Sequence, residues 1–170
     1  SILNSVTYVL YSEDVDYCVL IDCGEWETLK PVIERIGKSV KAVLLTHGHL
    51  DHIYGLVDLL QMYPAAEVST TEYGYLELQN DRRNLSLYHG YPFTVVGYHQ
   101  KTLMGGETLH FEGLTDVEVI ATPGHSPSCL IKFQVPWLQS SMGSKEYCSP
   151  EMLISRELMY SQNFPKQISN

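Results

Sequence analysis

The stretch Thr46-His47-Gly48-His49-Leu50-Asp51-His52 places three imidazoles and a carboxylate within six positions, directly after the apolar run Val43-Leu44-Leu45. Imidazoles packed this closely depress one another's protonation and demand several hydrogen-bond partners, so a purely structural role is costly. A metal ion is the simpler account. In an extended segment side chains repeat every second residue, so His47 and His49 face the same way. The small Gly48 between them lets the backbone turn closely, and Asp51 and His52 fall in the first turn of a following helix, facing back over the strand end. A nitrogen-rich set with carboxylate help suits Zn2+, bound at roughly 2.0–2.1 Å, while iron and manganese accept the same ligand types.

A second loop, Thr122-Pro123-Gly124-His125-Ser126, follows another apolar strand. Pro123 and Gly124 favour a tight turn, and Ser126-Pro127 keeps the chain extended. His125 is the natural third imidazole for an ion held by His47 and His49. Three protein nitrogens plus a water form the open catalytic arrangement, in which the water's pKa falls to about 7. The remaining His89, His99 and His110 are isolated, and we read them as structural.

The elements that must position these groups follow from the pattern. Residues 5–10 and 17–21 read as a hairpin, ended by Asp22 and Gly24. Trp26, Leu29, Ile33 and Ile36 recur at helical spacing, with Pro31 near the first turn and Gly37 at the stop. Val40–Leu45 is a buried strand. Ile53, Leu56, Leu59, Leu60 and Tyr63 mark a second helix, halted by Pro64. Val68 lies in a short strand. Residues 71–88 are expected to be helical, with Thr71 and Asp81 as caps, and Val95-Val96 to be a short strand or loop. Gly105-Gly106 reads as a hairpin-type turn into Thr108–Phe111, with further strands at Val117–Ala121 and Cys129–Phe133. Strands alternating with helices and then mostly strands indicate a layered α/β protein with a mixed sheet.

The chain's 170 residues suffice for one domain with a real core, and no repeat or linker divides it. A formal charge of −9, with only 11 Lys and Arg, argues against nucleic-acid and membrane partners and fits a small-molecule substrate. The four cysteines form no C-x-x-C pair and read as reduced residues of a cytoplasmic protein. Cys18 and Cys23, on one strand and its exit, should face opposite sides. No run has the length of a membrane span or the form of a signal peptide. The chain begins at Ser1 without an initiator Met, so a lost leader stays open.

The cluster at 47–52 resembles the H-x-H-x-D-H signature of the metallo-β-lactamase fold superfamily. Asp22-Cys23-Gly24 and Thr122–Ser126 resemble two more of its motifs in the same order, over roughly residues 5–134. The resemblance implies a four-layer αβ/βα sandwich with a dinuclear site at one edge. It implies that His47, His49 and His125 hold one metal, that Asp51 and His52 serve a second, and that Asp22 orients a ligand from behind. The full motif looks most like the glyoxalase II branch of hydrolases.

The family also supplies a bridging Asp and a late His, and residues 126–170 contain neither Asp nor His. Arg156-Glu157 is the nearest echo, which makes Glu157 a candidate bridging ligand. We therefore read 1–134 as the domain proper and 135–170 as its divergent tail, and expect a truncated or altered member with an incomplete C-terminal half. Such a chain would expose an apolar face and a sheet edge through which a homodimer could form.

The expected function is a metal-dependent hydrolase acting on a small ester, thioester or amide, with Asp51 as catalytic residue. Two other classes compete: a single-iron sulfur dioxygenase, and a catalytically impaired metal-binding paralogue. Substrate choice should reside in residues 70–104, where Tyr73, Tyr75, Tyr88, Tyr91, Tyr98 and Arg82-Arg83 could cover the site, although ordinary packing is the preferred account of them.

Overall fold

Runs of β-branched and aromatic residues become strands, and each helix lays its apolar stripe on them. The structure, a computed structural model, describes residues 5–122, 124–129, 132–134 and 153–154. In chain order the strands are β1 (Tyr8–Tyr11), β2 (Tyr17–Ile21), β3 (Ser39–Leu44), β4 (Glu67–Thr70), β5 (His99–Thr102), β6 (Thr108–Leu109), β7 (Val117–Ile120), β8 (Lys132–Gln134) and β9 (Leu153–Ile154). The helices are α1 (Trp26–Ile36), α2 (Leu50–Ile53), α3 (Leu56–Met62) and α4 (Glu72–Leu78), with a 3-10 turn at Ser86–His89.

Six strands form one sheet in the order β5-β4-β3-β2-β1-β9. Its centre is parallel, β2 to β5, and β1 pairs antiparallel with both β2 and β9. A second, antiparallel sheet runs β6-β7-β8. β2 is buried along its whole length, so strict alternation sends its side chains into two separate cores. Cys18 and Leu20 join Val9, Val43 and Val68 beneath the helices, against Leu29, Ile33, Ile53, Leu56, Leu59 and Leu78. Val19 and Ile21 join Leu10, Ala42 and Leu44 against Leu109, Val117 and Val119 of the second sheet. Helices, first sheet and second sheet are therefore three successive layers. On the outer face of β7, Glu118 is exposed and Ile120 half-buried, and among the described residues no helix covers them. Leu20→Ala, which opens a void at a fully buried position, is expected to destabilise the fold by about 2–5 kcal/mol in denaturant unfolding.

Several sequence expectations need correction. Cys18 and Cys23 lie in the same core beneath the helices, because Asp22 turns the chain through a positive φ of 61° and breaks the two-residue alternation. Pro31 sits in the second turn of α1, on its exposed face, and not near the first turn. The helix expected over 71–88 is only α4 and the 3-10 turn. Thr71 caps α4 through Gly74 N–H (3.0 Å), but Asp81 caps nothing by its side chain. Its carbonyl accepts from Leu87 N–H (3.0 Å) instead. The Gly105-Gly106 turn does not close a hairpin. β5 belongs to the first sheet and β6 to the second, so the turn carries the chain from one sheet to the other. On the tail's side of the sheet, Leu10 and Tyr11 are in register with Ile154 and Leu153 of β9, so β9 and not β1 is the edge strand among the described residues. The other edge strand, β5, exposes all four of its polar residues, which protects it against edge-to-edge pairing. Pro123, Cys148, Glu157 and the rest of the tail outside β9 lie outside the described residues.

Candidate metal centre

β3 ends at Leu44, and the next residues leave the sheet edge as a loop into α2. Three ties hold that loop. Asp22 N–H donates to Leu44 O (2.9 Å), Leu45 N–H to Ser69 O (2.8 Å), and Cys23 N–H to His52 O (2.7 Å). The start of α2 is anchored by Leu50 N–H on Asn84 O (2.8 Å).

The structure brings His47, His49 and His125 together from two loops, with ring centroids 4.6, 5.3 and 4.9 Å apart. One donor atom from each of the three falls within 4.8 Å of the others. The same holds for His47, Asp51 and His52, so His47 belongs to both sets. His47 is buried, His49, Asp51 and His52 are half-buried, and His125 is exposed at the rim. His89, His99 and His110 lie on the surface away from both sets, His110 paired with Asp116 at 2.8 Å.

Asp22 is 3% exposed and sits directly behind the cluster. Its Oδ1 accepts from Thr46 N–H (2.7 Å) and its Oδ2 from His52 Nδ1 (2.7 Å), with Thr46 Oγ1 donating to the carboxylate at 2.8–3.0 Å. A proton held on Nδ1 leaves the His52 Nε2 lone pair facing Asp51 Oδ2, 3.4 Å away, and His47.

Electrostatics follow the same division. Burial, reinforced by His52, His49 and His125, pulls the His47 pKa down to about 3, so the ring is neutral and its lone pair available. Burial likewise lowers His49, against an opposing pull from Glu77. For His52 burial also pulls down, yet the Asp22 hydrogen bond and the charges of Asp22 and Asp51 together carry its pKa upward. The donor chemistry, four imidazoles and one carboxylate with one imidazole oriented from behind, fits a borderline-soft divalent cation.

One carboxylate at this site was not legible beforehand. Glu77, on α4, is 2% exposed. It accepts from Gly48 N–H through Oε2 (2.9 Å) and from Ser126 Oγ through Oε1 (2.6 Å), and Ser128 Oγ donates to it as well. The only sequence signal was a carboxylate beside the inward-facing Tyr75 and Leu78 of an otherwise amphipathic helix. Gly48 has to be glycine for this reason. A Cβ there would lie 2.6 Å from Glu77 Cβ and 3.2 Å from Gly74 O. Gly48→Ala is expected to lower the midpoint of thermal unfolding and to weaken metal uptake together, read by calorimetry and by metal analysis.

Of the tyrosines expected to cover the site, Tyr75 and Tyr98 are packing residues, stacked at 6.1 Å, with Tyr75 donating to Val68 O (2.9 Å). Tyr91 is 46% exposed and meets Tyr54, two residues past His52, edge to face at 6.1 Å.

The model of the metallo-beta-lactamase superfamily matches residues 2–131. The chain belongs to this superfamily. Among its curated relatives are the hydroxyacylglutathione hydrolases of Erwinia tasmaniensis and Enterobacter sp. (strain 638). They are 32% and 33% identical over 127 residues, which is 75% of this chain and 42% of each relative. The uncharacterized protein YobT of Bacillus subtilis is 29% identical over 69% of this chain and 52% of its own length. Among solved structures, the BLEG-1 B3 metallo-beta-lactamase matches with a TM-score of 0.66 at 27% identity, over 76% of this chain and 61% of that one. That of Bradyrhizobium japonicum, at 22% identity and TM-score 0.58, shares the fold. This superfamily member spans about two-fifths of the length of the hydroxyacylglutathione hydrolases it matches. No helix among the described residues is long and apolar enough to cross a membrane.

Proposed function

We propose that this chain carries a metal-dependent hydrolase site for a small thioester or ester, with Zn2+ as the metal. The observation that carries this reading is the convergence of two donor sets that share His47. His47, His49 and His125 would hold one ion, and His47, Asp51 and His52 place a second set of donors beside it. A bound divalent cation supplies a Lewis acid for the scissile carbonyl and ionises water near neutral pH.

The chain's own residues do the rest. Asp22 holds the His52 proton on Nδ1 and, through Thr46, pins the start of the loop. Asp51, whose side chain is 36% exposed, reaches solvent and would accept the proton of the attacking water. The water oxygen bonds the carbonyl carbon, the carbon–sulfur or carbon–oxygen bond breaks, and the departing group takes up a proton. His125, at the rim, leaves the site open to an incoming small molecule. The thioester preference is supported by relatives named hydroxyacylglutathione hydrolase.

The test is elemental analysis of the purified chain followed by hydrolysis of a panel containing a hydroxyacylglutathione thioester, a β-lactam and a phosphodiester. Zinc with thioester turnover is expected. Iron with oxygen consumption on a persulfide would replace this reading by a dioxygenase. Metal uptake with no turnover of any panel member would replace it by a binding role.

A further inference from the structure

Among the described residues, the two loops that carry the three-imidazole set have no backbone hydrogen bond between them. His47 and His49 follow β3, and His125 follows β7, which lies in the other sheet. The His125 loop closes on itself through Thr122 N–H to Cys129 O (3.2 Å) and Cys129 N–H to Ser126 O (3.0 Å). Among the described residues, the hydrogen bonds that span the gap are those of one buried carboxylate. Glu77 takes Gly48 N–H, from between His47 and His49, on one side, and the hydroxyls of Ser126 and Ser128, which follow His125, on the other. Ser126 and Ser128 are 4% and 0% exposed, so water does not compete for these bonds. Ser126 Oγ in turn accepts from Ser128 N–H (3.1 Å), which fixes the loop's shape around the residue it holds.

We propose that Glu77 is a positioning residue that locks the His125 loop to the His47–His49 loop and thereby sets the geometry of the three-imidazole set. Glu77 is not a ligand here. Its Oε1 lies 3.9 Å from His49 Nε2, and both oxygens are already engaged by the loops. The proposal rests on the metal reading of that set, and its test separates the two.

Zn2+ affinity is measured by competition with a chromophoric chelator, beginning with the unsubstituted chain. Absence of uptake there overturns the metal reading itself. With uptake established, Glu77→Ala is expected to weaken Zn2+ binding about 10–100-fold, as loss of other outer partners does. The effect should shrink in a His125→Ala background, because the part that runs through the His125 loop is already lost there. Glu77→Gln keeps an acceptor for Gly48 N–H and a donor for a serine oxygen, so it should restore most of the affinity.

Should Glu77→Ala fail to fold, the pair Ser126→Ala and Ser128→Ala cuts only the His125 side and is expected to give the same loss. Unchanged affinity in these variants, or a loss that adds fully to that of His125→Ala, overturns the positioning role. A Glu77→Gln variant as weak as Glu77→Ala also overturns it, by assigning the effect to charge.

Discussion

Replacement of His47 by alanine is expected to remove metal from both candidate sets at once and to take hydrolysis to background. The reason is geometric. His47 contributes a donor to the set with His49 and His125 and to the set with Asp51 and His52. Removing any other donor spares one set, whereas removing this one leaves two donors in each. The loss in affinity should exceed the about 10–100-fold typical of outer partners. His47 is also buried and neutral, its pKa held down to about 3 mainly by burial, so no proton competes with the metal at neutral pH. Its removal deletes a ligand that needs no deprotonation first. Metal content by elemental analysis and thioester hydrolysis should fall together. A His47→Ala chain that retains its full metal content would sink the central reading of the site.

The second large effect is expected from Asp22→Asn. As a carboxylate, Asp22 accepts from Thr46 N–H with one oxygen and from His52 Nδ1 with the other. An amide cannot do both. If its oxygen serves Thr46, its NH2 faces His52 Nδ1, which must then become the acceptor. The imidazole proton moves to Nε2 and occupies the lone pair that faces Asp51 and His47. Affinity at the His47–Asp51–His52 set should fall about 10–100-fold, while the His47–His49–His125 set is spared. Metal titration should therefore show one phase weakened and the other persisting. Loss of both phases in equal measure would instead mean that Asp22 supports the whole loop. Asp tolerates the positive φ at this position, and Asn does too, so the substitution tests the hydrogen bonds and not the backbone.

Most of the framework was legible because it depends on local rules. The apolar runs of β2 and β3, the stripe of α1 with its Gly37 stop, and the break of the next helix before Pro64 all follow from periodicity and terminal residues. Failures came where a contact distant in sequence overrode a local pattern. The stretch 71–88 has helical spacing. The chain nevertheless leaves the helix after Leu78, because Asn84, fully buried, is held by its side chain on Phe93 O (3.0 Å) and its backbone on Leu50. Cys23 turns inward because Asp22 reverses the chain.

The donors were dense enough to be read without coordinates. Three imidazoles and a carboxylate within six positions, with His125 in a second loop, already marked the candidate donors and the family. The alternating period of the strand determined that His47 and His49 share a side. What only the tertiary structure decided is how His125 reaches them. It comes from the other sheet, and the bond that brings it in belongs to Glu77, 49 residues before Ser126. A carboxylate inside a helix carries no mark of what it will face once the helix is packed. Periodicity shows which face turns inward, but only packing shows that two loops meet there with N–H and O–H groups to satisfy.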